Sequence, residues 1–481
     1  MRYSNQQKLF LTNNNYKHIF INAGPGTGKT TLIKEKIKRI LSRNQKAKIL
    51  YITFSVKLAY KVKHDLNAQF LRNIHVGTIH SLLIKFLKKQ LNLNFIIVER
   101  RNLQLTKVNQ LTFTDIEKIT LKNITRFKEW IKKTYRYIFI DEVQDINENI
   151  ARLVSSLAEP DTPYSLYLLG DTNQTIYQKN TSDIKIISLI EDNKYIHKLY
   201  LHHSFRLGQK TCNLINLLFN IKLTSKKGQT ELLNFLNINQ NSKVPKMLSI
   251  LLSKWLKTTT QLAEEYLSRT EKLLEINIKA ENKSVAILAR HNKTIDKLLD
   301  YFLKKNFPVH KIGTLLKTEQ EFINSYQQFL YQALNQNYIN IESIPHNLKL
   351  LLQATRLPKT FINDFLKTTS ISKNIELLYT AKKFLENTED TTAINLSTIH
   401  KAKGLEFETV ILTDFYNNIY DFTKTYDRNL LFVALTRHLK QLIIITNLKT
   451  LNQLPNKGKI LKKIGVIKKL LPTLPIQQRL L

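Results

Sequence analysis

Cysteine, glycine and proline are all scarce in this 481-residue chain, which has 1 cysteine, 11 glycines and 10 prolines. The single cysteine, Cys212, excludes an intramolecular disulfide framework and any zinc or iron–sulfur site built from several cysteines. No window approaches the roughly 18 to 20 consecutive apolar residues that cross a bilayer. A strand-like run is reached by Ile19, which leaves no room for a signal or transit peptide. We therefore expect a cytoplasmic protein, or one that stays in the organelle that encodes it, with no membrane partner.

Acidic residues are also scarce, since 37 Asp and Glu stand against 74 Lys and Arg, for a formal net charge of +37. This charge predicts a polyanionic partner. The many Lys and Asn residues also fit AT-rich codons, although that bias does not explain the shortage of acids. With 43% hydrophobic residues, the chain can bury several cores and is not a disordered basic tail. Its length indicates about three domains.

Apolar, strand-like runs alternate with helix-like segments, which predicts an α/β fold with parallel sheets. We predict strands at residues 18–22, 48–54, 137–141, 165–170, 284–289, 409–413 and 441–446. Polar, glycine-rich or acidic residues follow the first four, at the positions where parallel sheets present ligands. The Asn-rich residues 234–241 are predicted to be a loop. For the basic tail at 458–481, the pattern favours a helix packed on a domain over an amphipathic helix on phosphates or a membrane.

A glycine loop at residues 23–31, Ala-Gly-Pro-Gly-Thr-Gly-Lys-Thr-Thr, lies between a predicted strand and an amphipathic helix. The backbone N–H groups of such a loop turn toward phosphate oxygens, and the helix N-terminus adds its dipole. We predict that Lys29 reaches the β- and γ-phosphates of a bound nucleotide and that the Thr30 hydroxyl binds Mg²⁺. The other predicted nucleotide contacts of the loop are Ala23, Gly24, Pro25, Gly26, Thr27, Gly28 and Thr31.

Two adjacent acids, Asp141 and Glu142, follow the predicted strand at 137–141. The strand delivers Asp141 to the carboxyl edge of the sheet, where it can hold the Mg²⁺ shared with Thr30. Glu142 is then placed to orient or deprotonate an attacking water. Taken alone, the pair could equally be a solvated helix start. Together with the upstream phosphate loop, it predicts nucleotide hydrolysis.

With these two sites placed, the chain resembles superfamily 1A DNA helicases of the UvrD/Rep/PcrA type from Gln7 to about Arg437. Segments similar to the family's motifs, the acids included, follow in the family's order at residues 52–59, 77–81, 141–145, 169–177, 204–206, 398–407 and 432–437. The chain departs from the pattern after Tyr177, where Gln-Lys-Asn replaces the family's usual Trp-Arg-Gly. Its insertions are also short for the family, so unwinding is a weaker expectation than ATP hydrolysis and translocation.

The resemblance implies two RecA-like, parallel-sheet P-loop NTPase domains, each interrupted by a mainly helical insertion. The implied divisions are 1–85 and 135–203 for domain 1A, 86–134 for a reduced insertion 1B, 204–314 and 395–457 for domain 2A, 315–394 for a reduced insertion 2B, and 458–481 for the tail.

The resemblance also implies roles for further residues. Those at the ATP site are Gln7 as the adenine-reading amide, with Gln6 as a competing candidate, Phe205 stacking on adenine, Glu406 at the ribose, Gln174 sensing the γ-phosphate, and Arg206 and Arg437 as arginine fingers. Each arginine taken alone would more often be a surface charge.

On the nucleic-acid side, rings suited to base stacking and hydroxyls suited to phosphates recur in the motifs. The predicted DNA contacts are Thr53, Phe54, Thr78, His80, Tyr177, Thr398 and His400. A lone aromatic residue would ordinarily belong to the core, so it is motif position that favours contact with DNA.

The resemblance therefore implies an ATP- and Mg²⁺-dependent DNA helicase or translocase. Its expected substrates are single-stranded DNA and single/double-strand junctions, its expected polarity is 3′ to 5′, and its expected role lies in replication, repair or recombination. The alternative is a nucleic-acid-sensing ATPase subunit of a defence or plasmid-maintenance assembly, which acts with a protein partner and does not unwind processively.

Overall fold

The structure is a computed structural model that describes residues 3–12, 16–66, 72–98, 110–176, 184–227, 232–237, 248, 284–336, 340–386, 388, 393–413, 424–446 and 468–469. The strands are β1 His18–Ala23, β2 Ile49–Thr53, β3 Ile74–Thr78, β4 Ile96–Ile97, β5 Gln110–Leu111, β6 Tyr137–Ile140, β7 Ser165–Gly170, β8 Ile196–Leu201, β9 His203–Ser204, β10 Thr224–Ser225, β11 Leu232–Asn237, β12 Val285–Ala289, β13 Val309–Lys311, β14 Ile394–Thr398, β15 Phe407–Leu412, β16 His438–Thr446 and β17 Lys468–Lys469.

The α-helices alternate with these strands. They cover Asn5–Thr12, Lys29–Arg43, Val56–Asp65, Ile79–Gln90, Phe113–Lys122, Ile124–Thr134, Glu148–Ser155, Ile184–Glu191, Gln209–Phe219, Asn292–Lys304, Lys317–Asn335, His346–Gln353, Lys359–Lys367, Ile371–Glu386, Ile399–Ala402 and Thr425–Leu435. No helix among the described residues is long and apolar enough to cross a membrane.

The first sheet, which defines lobe 1, is parallel throughout and has the strand order β3-β2-β6-β7-β1-β8. Successive side chains of a strand point to opposite faces, so Phe20 enters one buried cluster while Ile19 and Ile21 enter another. The helix Lys29–Arg43 covers the second of these faces with Ile33 and Ile37. Because β7 lies between β1 and β6, its carboxyl end stands between the glycine loop and the paired acids.

The second sheet, which defines lobe 2, is also parallel and has the order β13-β14-β12-β15-β16-β11-β17. Its strands are buried on both faces, since Ala286 and Leu288 face one apolar cluster and Ile287 faces another. This arrangement suits a parallel sheet covered by helices on both sides. The expected α/β fold with two RecA-like domains and helical insertions is confirmed.

The two insertions build their cores differently. In the first, Ile116, Phe127 and Ile131 join the same buried cluster as residues of the lobe 1 sheet, and the helix Ile79–Gln90 runs across the expected boundary at residue 86. The second insertion has its own cluster, in which helix Lys317–Asn335 packs against helix Ile371–Glu386. The first insertion is therefore an extension of the lobe 1 core.

The predicted strands agree with the structure to within a few residues at their ends. The loop prediction for residues 234–241 is wrong over Asn234–Asn237, because β11 Leu232–Asn237 pairs with β16. Residues 238–241 lie outside the described residues. The helix prediction for the tail is wrong at Lys468–Lys469, which form the strand β17 beside β11. In both cases a strand partner distant in sequence decides the conformation.

Candidate ATP and nucleic-acid site

The glycine loop connects β1 to the helix that begins at Lys29. Gly26 and Gly28 have positive φ angles of 68° and 81°, a backbone conformation that costs glycine least. A side chain at Gly26 would also collide with Arg206, whose Cβ would lie 2.4 Å from the added Cβ atom. Lys29 Nζ donates to the Ala23 carbonyl at 3.0 Å, so the lysine folds back over the mouth of the loop.

Asp141 lies at the end of β6 and is fully buried. Its Oδ2 atom accepts hydrogen bonds from the Thr30 hydroxyl at 3.2 Å and from the Tyr51 hydroxyl at 3.0 Å. Burial, reinforced by the neighbouring Glu142, raises the pKa of Asp141 to about 7. The predicted pair of Mg²⁺ ligands, Thr30 and Asp141, is therefore in direct contact.

Glu142 has a left-handed backbone with φ 58°, and it begins a short 3-10 turn at Val143–Asp145. Its carboxylate accepts a hydrogen bond from the side-chain amide of Gln144. Burial raises the pKa of Glu142, but the charges of Lys29, Lys403 and Arg437 and the Gln144 bond together outweigh burial and leave the pKa below its ordinary value. Glu142 is therefore ionised near pH 7, which is the state that a proton acceptor requires.

A chain of side-chain contacts leads from these acids to lobe 2. Gln144 Oε1 accepts the Asp171 backbone N–H at 3.0 Å, and Asp171 Oδ2 accepts from Gln174 Nε2 at 2.7 Å. Gln174 Oε1 then accepts from the Arg437 guanidinium at 3.1 Å. Arg437 is 3% exposed, and burial lowers its pKa to about 10. The predicted sensor and one predicted arginine finger thus meet at the interface between the lobes.

Lys403 makes a second link between the lobes that the sequence reasoning missed. Its ammonium group forms an ion pair with Asp145 and donates to the Gln174 carbonyl at 2.6 Å. Burial raises the pKa of Asp145 to about 6, although the Lys403 charge acts in the opposite direction. The sequence signal for this contact is the position of Lys403 inside the motif-like residues 398–407.

Arg206 lies where the chain passes from lobe 1 into lobe 2, next to Gly26 of the glycine loop. Its guanidinium pairs with Glu406 and donates to the Thr436 carbonyl at 3.3 Å. The preceding residue, Phe205, donates its backbone N–H to the Gly26 carbonyl at 2.8 Å and leaves its ring 43% exposed. An exposed ring beside the glycine loop is available for stacking on a planar ligand.

Of the two candidate glutamines, Gln7 lies against the glycine loop. Its amide nitrogen donates to the Thr27 carbonyl at 3.0 Å, and its amide oxygen accepts the Ser4 N–H at 2.9 Å. Gln6 instead accepts the His202 N–H at 3.4 Å. The geometry therefore favours Gln7 for a role at the nucleotide.

The predicted DNA contacts of lobe 1 lie at the carboxyl ends of β2 and β3. Thr53 is fully buried, and its hydroxyl accepts the Ser55 N–H at 3.4 Å, so in this conformation it supports the chain turn and offers no surface to a phosphate. Phe54 packs in part against the lobe 1 core. Thr78 caps the helix Ile79–Gln90. His80 pairs with Glu117 at 2.9 Å and keeps 30% of its side chain exposed.

The lobe 2 contacts follow β14. Thr398 is 6% exposed, and His400 Nε2 lies 2.6 Å from the Tyr426 hydroxyl. Tyr177 lies outside the described residues. His80 and His400 are both half-buried, as is Phe54.

Two family models match the chain, one described as AAA domain over residues 6–180 and one described as UvrD-like helicase C-terminal domain over residues 315–449. The chain is 23% identical to the ATP-dependent DNA helicase Rep of Buchnera aphidicola subsp. Acyrthosiphon pisum (strain APS), over 92% of this chain and 94% of Rep. It is 21% identical to the ATP-dependent DNA helicase PcrA of Bacillus subtilis (strain 168), over 90% of this chain and 81% of PcrA. The chain belongs to the UvrD/Rep/PcrA type of superfamily 1 helicases.

This helicase is also 24% identical to Gabija protein GajB of Bacillus cereus (strain VD045), over 90% of this chain and 93% of GajB. The alignment with GajB spans 479 positions, whereas the alignment with Rep spans 613. Rep therefore contains segments with no counterpart in this helicase, whose chain has 481 residues. The relatives named as ATP-dependent DNA helicases support ATP-dependent DNA helicase activity for the family member described here.

Proposed function

We propose that this helicase hydrolyses ATP with Mg²⁺ to move along single-stranded DNA, in the 3′ to 5′ direction. The observation that carries the proposal is the unbroken contact from Glu142 through Gln144, Asp171 and Gln174 to Arg437. It joins a proton acceptor on one lobe to a cation on the other, which is the arrangement that ATP hydrolysis between two moving lobes requires.

The residues of the site fit ATP and Mg²⁺. Thr30 and Asp141 supply two adjacent oxygen ligands, which is the donor chemistry that Mg²⁺ prefers. When bound, the ion neutralises charge on the β- and γ-phosphates. Lys29 binds the same phosphates. Glu142, which is ionised near pH 7, orients the attacking water and accepts a proton from it. Arg437 and Arg206 offset the charge that develops on the transferred phosphoryl group.

The adenosine end has its own contacts. Gln7 lies beside the loop at Thr27, Phe205 presents an exposed ring, and Glu406 is accessible near Arg206. We assign adenine recognition to Gln7 and Phe205 and ribose binding to Glu406.

Motion along DNA follows from the contacts between the lobes. Asp145 to Lys403 and Gln174 to Arg437 both join the acid edge of lobe 1 to lobe 2. A change in bound nucleotide that alters these contacts shifts the lobes relative to each other. Such a shift moves His80 on lobe 1 relative to His400 on lobe 2. Successive shifts move the single-stranded DNA past these two residues.

Two assays test the proposal together: ATP hydrolysis with and without a single-stranded oligonucleotide, and strand displacement on duplexes with a 3′ or a 5′ tail. We expect hydrolysis to be stimulated by the single strand and displacement to occur only on the 3′-tailed duplex. Displacement only on the 5′-tailed duplex would reverse the assigned polarity. Equal rates of ATP hydrolysis with and without the oligonucleotide would contradict the proposed function.

A second candidate is an ATPase subunit that senses nucleic acid within a defence or plasmid-maintenance assembly and gates a protein partner. The observation that favours it is the near full-length match to Gabija protein GajB, which aligns without the extra segments that Rep contains. In the assays above, this candidate predicts stimulated hydrolysis with no displacement on either tailed duplex. That result would favour the nucleic-acid-sensing ATPase subunit over the translocating helicase.

A further inference from the structure

Glu117 is a buried acid outside the ATP site. It lies on the helix Phe113–Lys122 of the first insertion and is 2% exposed. A carboxylate this deeply buried is costly unless several donors surround it. We therefore expect several hydrogen-bond donors around the Glu117 carboxylate.

Three side chains donate to this carboxylate. His80 Nε2 lies 2.9 Å from Oε1, and Asn147 Nδ2 reaches both oxygens, at 2.9 and 3.0 Å. Asn149 Nδ2 reaches Oε2 at 3.1 Å. Burial alone would raise the pKa of Glu117, but the bonds from His80, Asn149 and Asn147 outweigh it and lower the pKa. The ionised carboxylate thus joins its own helix to two other segments, one with His80 and one with Asn147 and Asn149.

One of these segments bears a ring of the predicted nucleic-acid track. His80 follows Thr78 at the carboxyl end of β3, and its ring lies 4.4 Å from the ring of Phe113, centroid to centroid. Phe113 in turn lies 5.3 Å from Tyr379 of the second insertion. The bond to Glu117 and the contact with Phe113 together set the plane of the His80 ring. A ring held in one orientation loses less rotamer entropy when a base stacks on it.

Another segment comes directly from the hydrolytic acids. Asn147 follows the 3-10 turn Val143–Asp145, and its side-chain oxygen caps the helix Glu148–Ser155 by accepting the Ile150 N–H at 3.0 Å. The same side chain donates to Glu117 through its nitrogen. Asn147 therefore ties Glu117 to the turn that begins at Glu142 and ends at Asp145, the partner of Lys403.

We propose that Glu117 is a positioning residue that orients the His80 ring for nucleic acid and joins it, through Asn147, to the turn that carries the hydrolytic acids. In this role Glu117 acts through its contacts with His80 and Asn147. Through Glu117, DNA bound at His80 changes the conformation of the ATP site. This inference rests on the proposed function, because it requires that single-stranded DNA stimulates hydrolysis.

The test is the full-length Glu117→Gln variant, which keeps the size of the side chain and removes its charge. Loss of a hydrogen bond to a charged acceptor predicts that the concentration of a dT oligonucleotide giving half-maximal ATPase stimulation rises about tenfold. ATP hydrolysis without the oligonucleotide should stay within about twofold of the wild type, because the ATP ligands are untouched. The matched control is Glu148→Gln, since Glu148 is 61% exposed and carries the same charge. Both variants lose one negative charge, so a weaker response only in Glu117→Gln is not an effect of net charge.

A double-mutant cycle with His80→Ala separates positioning from mere structural support. If Glu117 acts through His80, the double variant should respond to the oligonucleotide like His80→Ala alone. Effects that multiply, or an unchanged response in Glu117→Gln, would overturn the inference. So would an equal loss of unstimulated and stimulated hydrolysis accompanied by a lower Tm. Failure of the wild-type protein to respond to the oligonucleotide would instead overturn the proposed function, and this inference with it.

Discussion

The carboxyl edge of the lobe 1 sheet gathers anions, whereas the facing elements of lobe 2 supply cations. On lobe 1, four acids stand close to the glycine loop: Asp141, Glu142, Asp145 and Asp171. On lobe 2, the buried Arg437 and Lys403 face them. The two sheets are alike in being parallel and buried on both faces, so this difference lies in their strand ends.

This difference makes the interface between the lobes the place where the site is completed. Burial raises the pKa of Asp141 to about 7 and that of Asp145 to about 6, and it lowers the pKa of Arg437 to about 10. Each edge alone would therefore hold charges that burial disfavours. Removing one charge of a buried ion pair costs free energy of folding, because the other charge stays buried without a partner. Closure of the lobes and assembly of the hydrolytic site are thus linked.

The largest effect is expected from removing Lys29, the lysine of the glycine loop whose charge acts on both Asp141 and Glu142. Lys29→Ala should lower ATP turnover by about 1000-fold or more, because the variant loses the ammonium group that donates hydrogen bonds to the phosphates. Steady-state ATP hydrolysis measures it. The control is Lys38→Ala, an exposed lysine of the same helix. Turnover that survives in Lys29→Ala would overturn the assignment of the phosphate loop.

The next effect concerns the ionised acid of lobe 1. Glu142→Gln should keep ATP binding while turnover falls about 100- to 1000-fold, because the amide cannot accept the proton of water. Fluorescent-ATP titration and hydrolysis assays measure the two quantities. Glu129→Gln, at an exposed position, is the matched control. Loss of binding together with turnover would show that Glu142 has a structural role.

A smaller effect is expected on the lobe 2 side. Arg437→Lys keeps the charge but cannot reach Gln174, Val433 and Thr436 together as the guanidinium does. We expect stimulated turnover to fall about tenfold to 100-fold. Arg126→Lys, at an exposed site, is the control. Wild-type turnover in Arg437→Lys would mean that the interface needs only a positive charge at this position.

The smallest effect concerns a buried cation of lobe 1 away from the interface. Lys36 donates to the carbonyls of Phe10 and Leu11 at 3.1 and 3.2 Å, and burial lowers its pKa to about 8 from 10.5. Between these pH values the unfolded chain binds more protons than the folded one, so the free energy of unfolding should rise with pH. Urea unfolding at several pH values from about 8 to about 10.5 should show this slope in the wild type and a flatter one in Lys36→Met. Equal slopes would show that Lys36 carries no burial cost.

Local pattern was enough to predict the strands and turns to which we assign ATP binding. The glycine loop and the acids each lie within a few residues of a strand end, so their placement needs only one strand and one turn. The loop prediction at Asn234 failed because pairing with β16 outweighs the preference of asparagine for turns. Thr53 shows the same limit, because its complete burial depends on neighbours that its own segment does not contain.

By itself, the sequence determined the fold class, the positions of the main strands, and the glycine loop that we propose binds ATP. These depend on hydrophobic period, turn residues and spacing, which act over short stretches of chain. Only the tertiary structure decided that Lys403 meets Asp145 and that Glu117 meets His80 and Asn147. Such contacts join segments far apart in sequence, and the energetic reason for them, burial of a charge among specific donors, exists only once the lobes and the first insertion have packed.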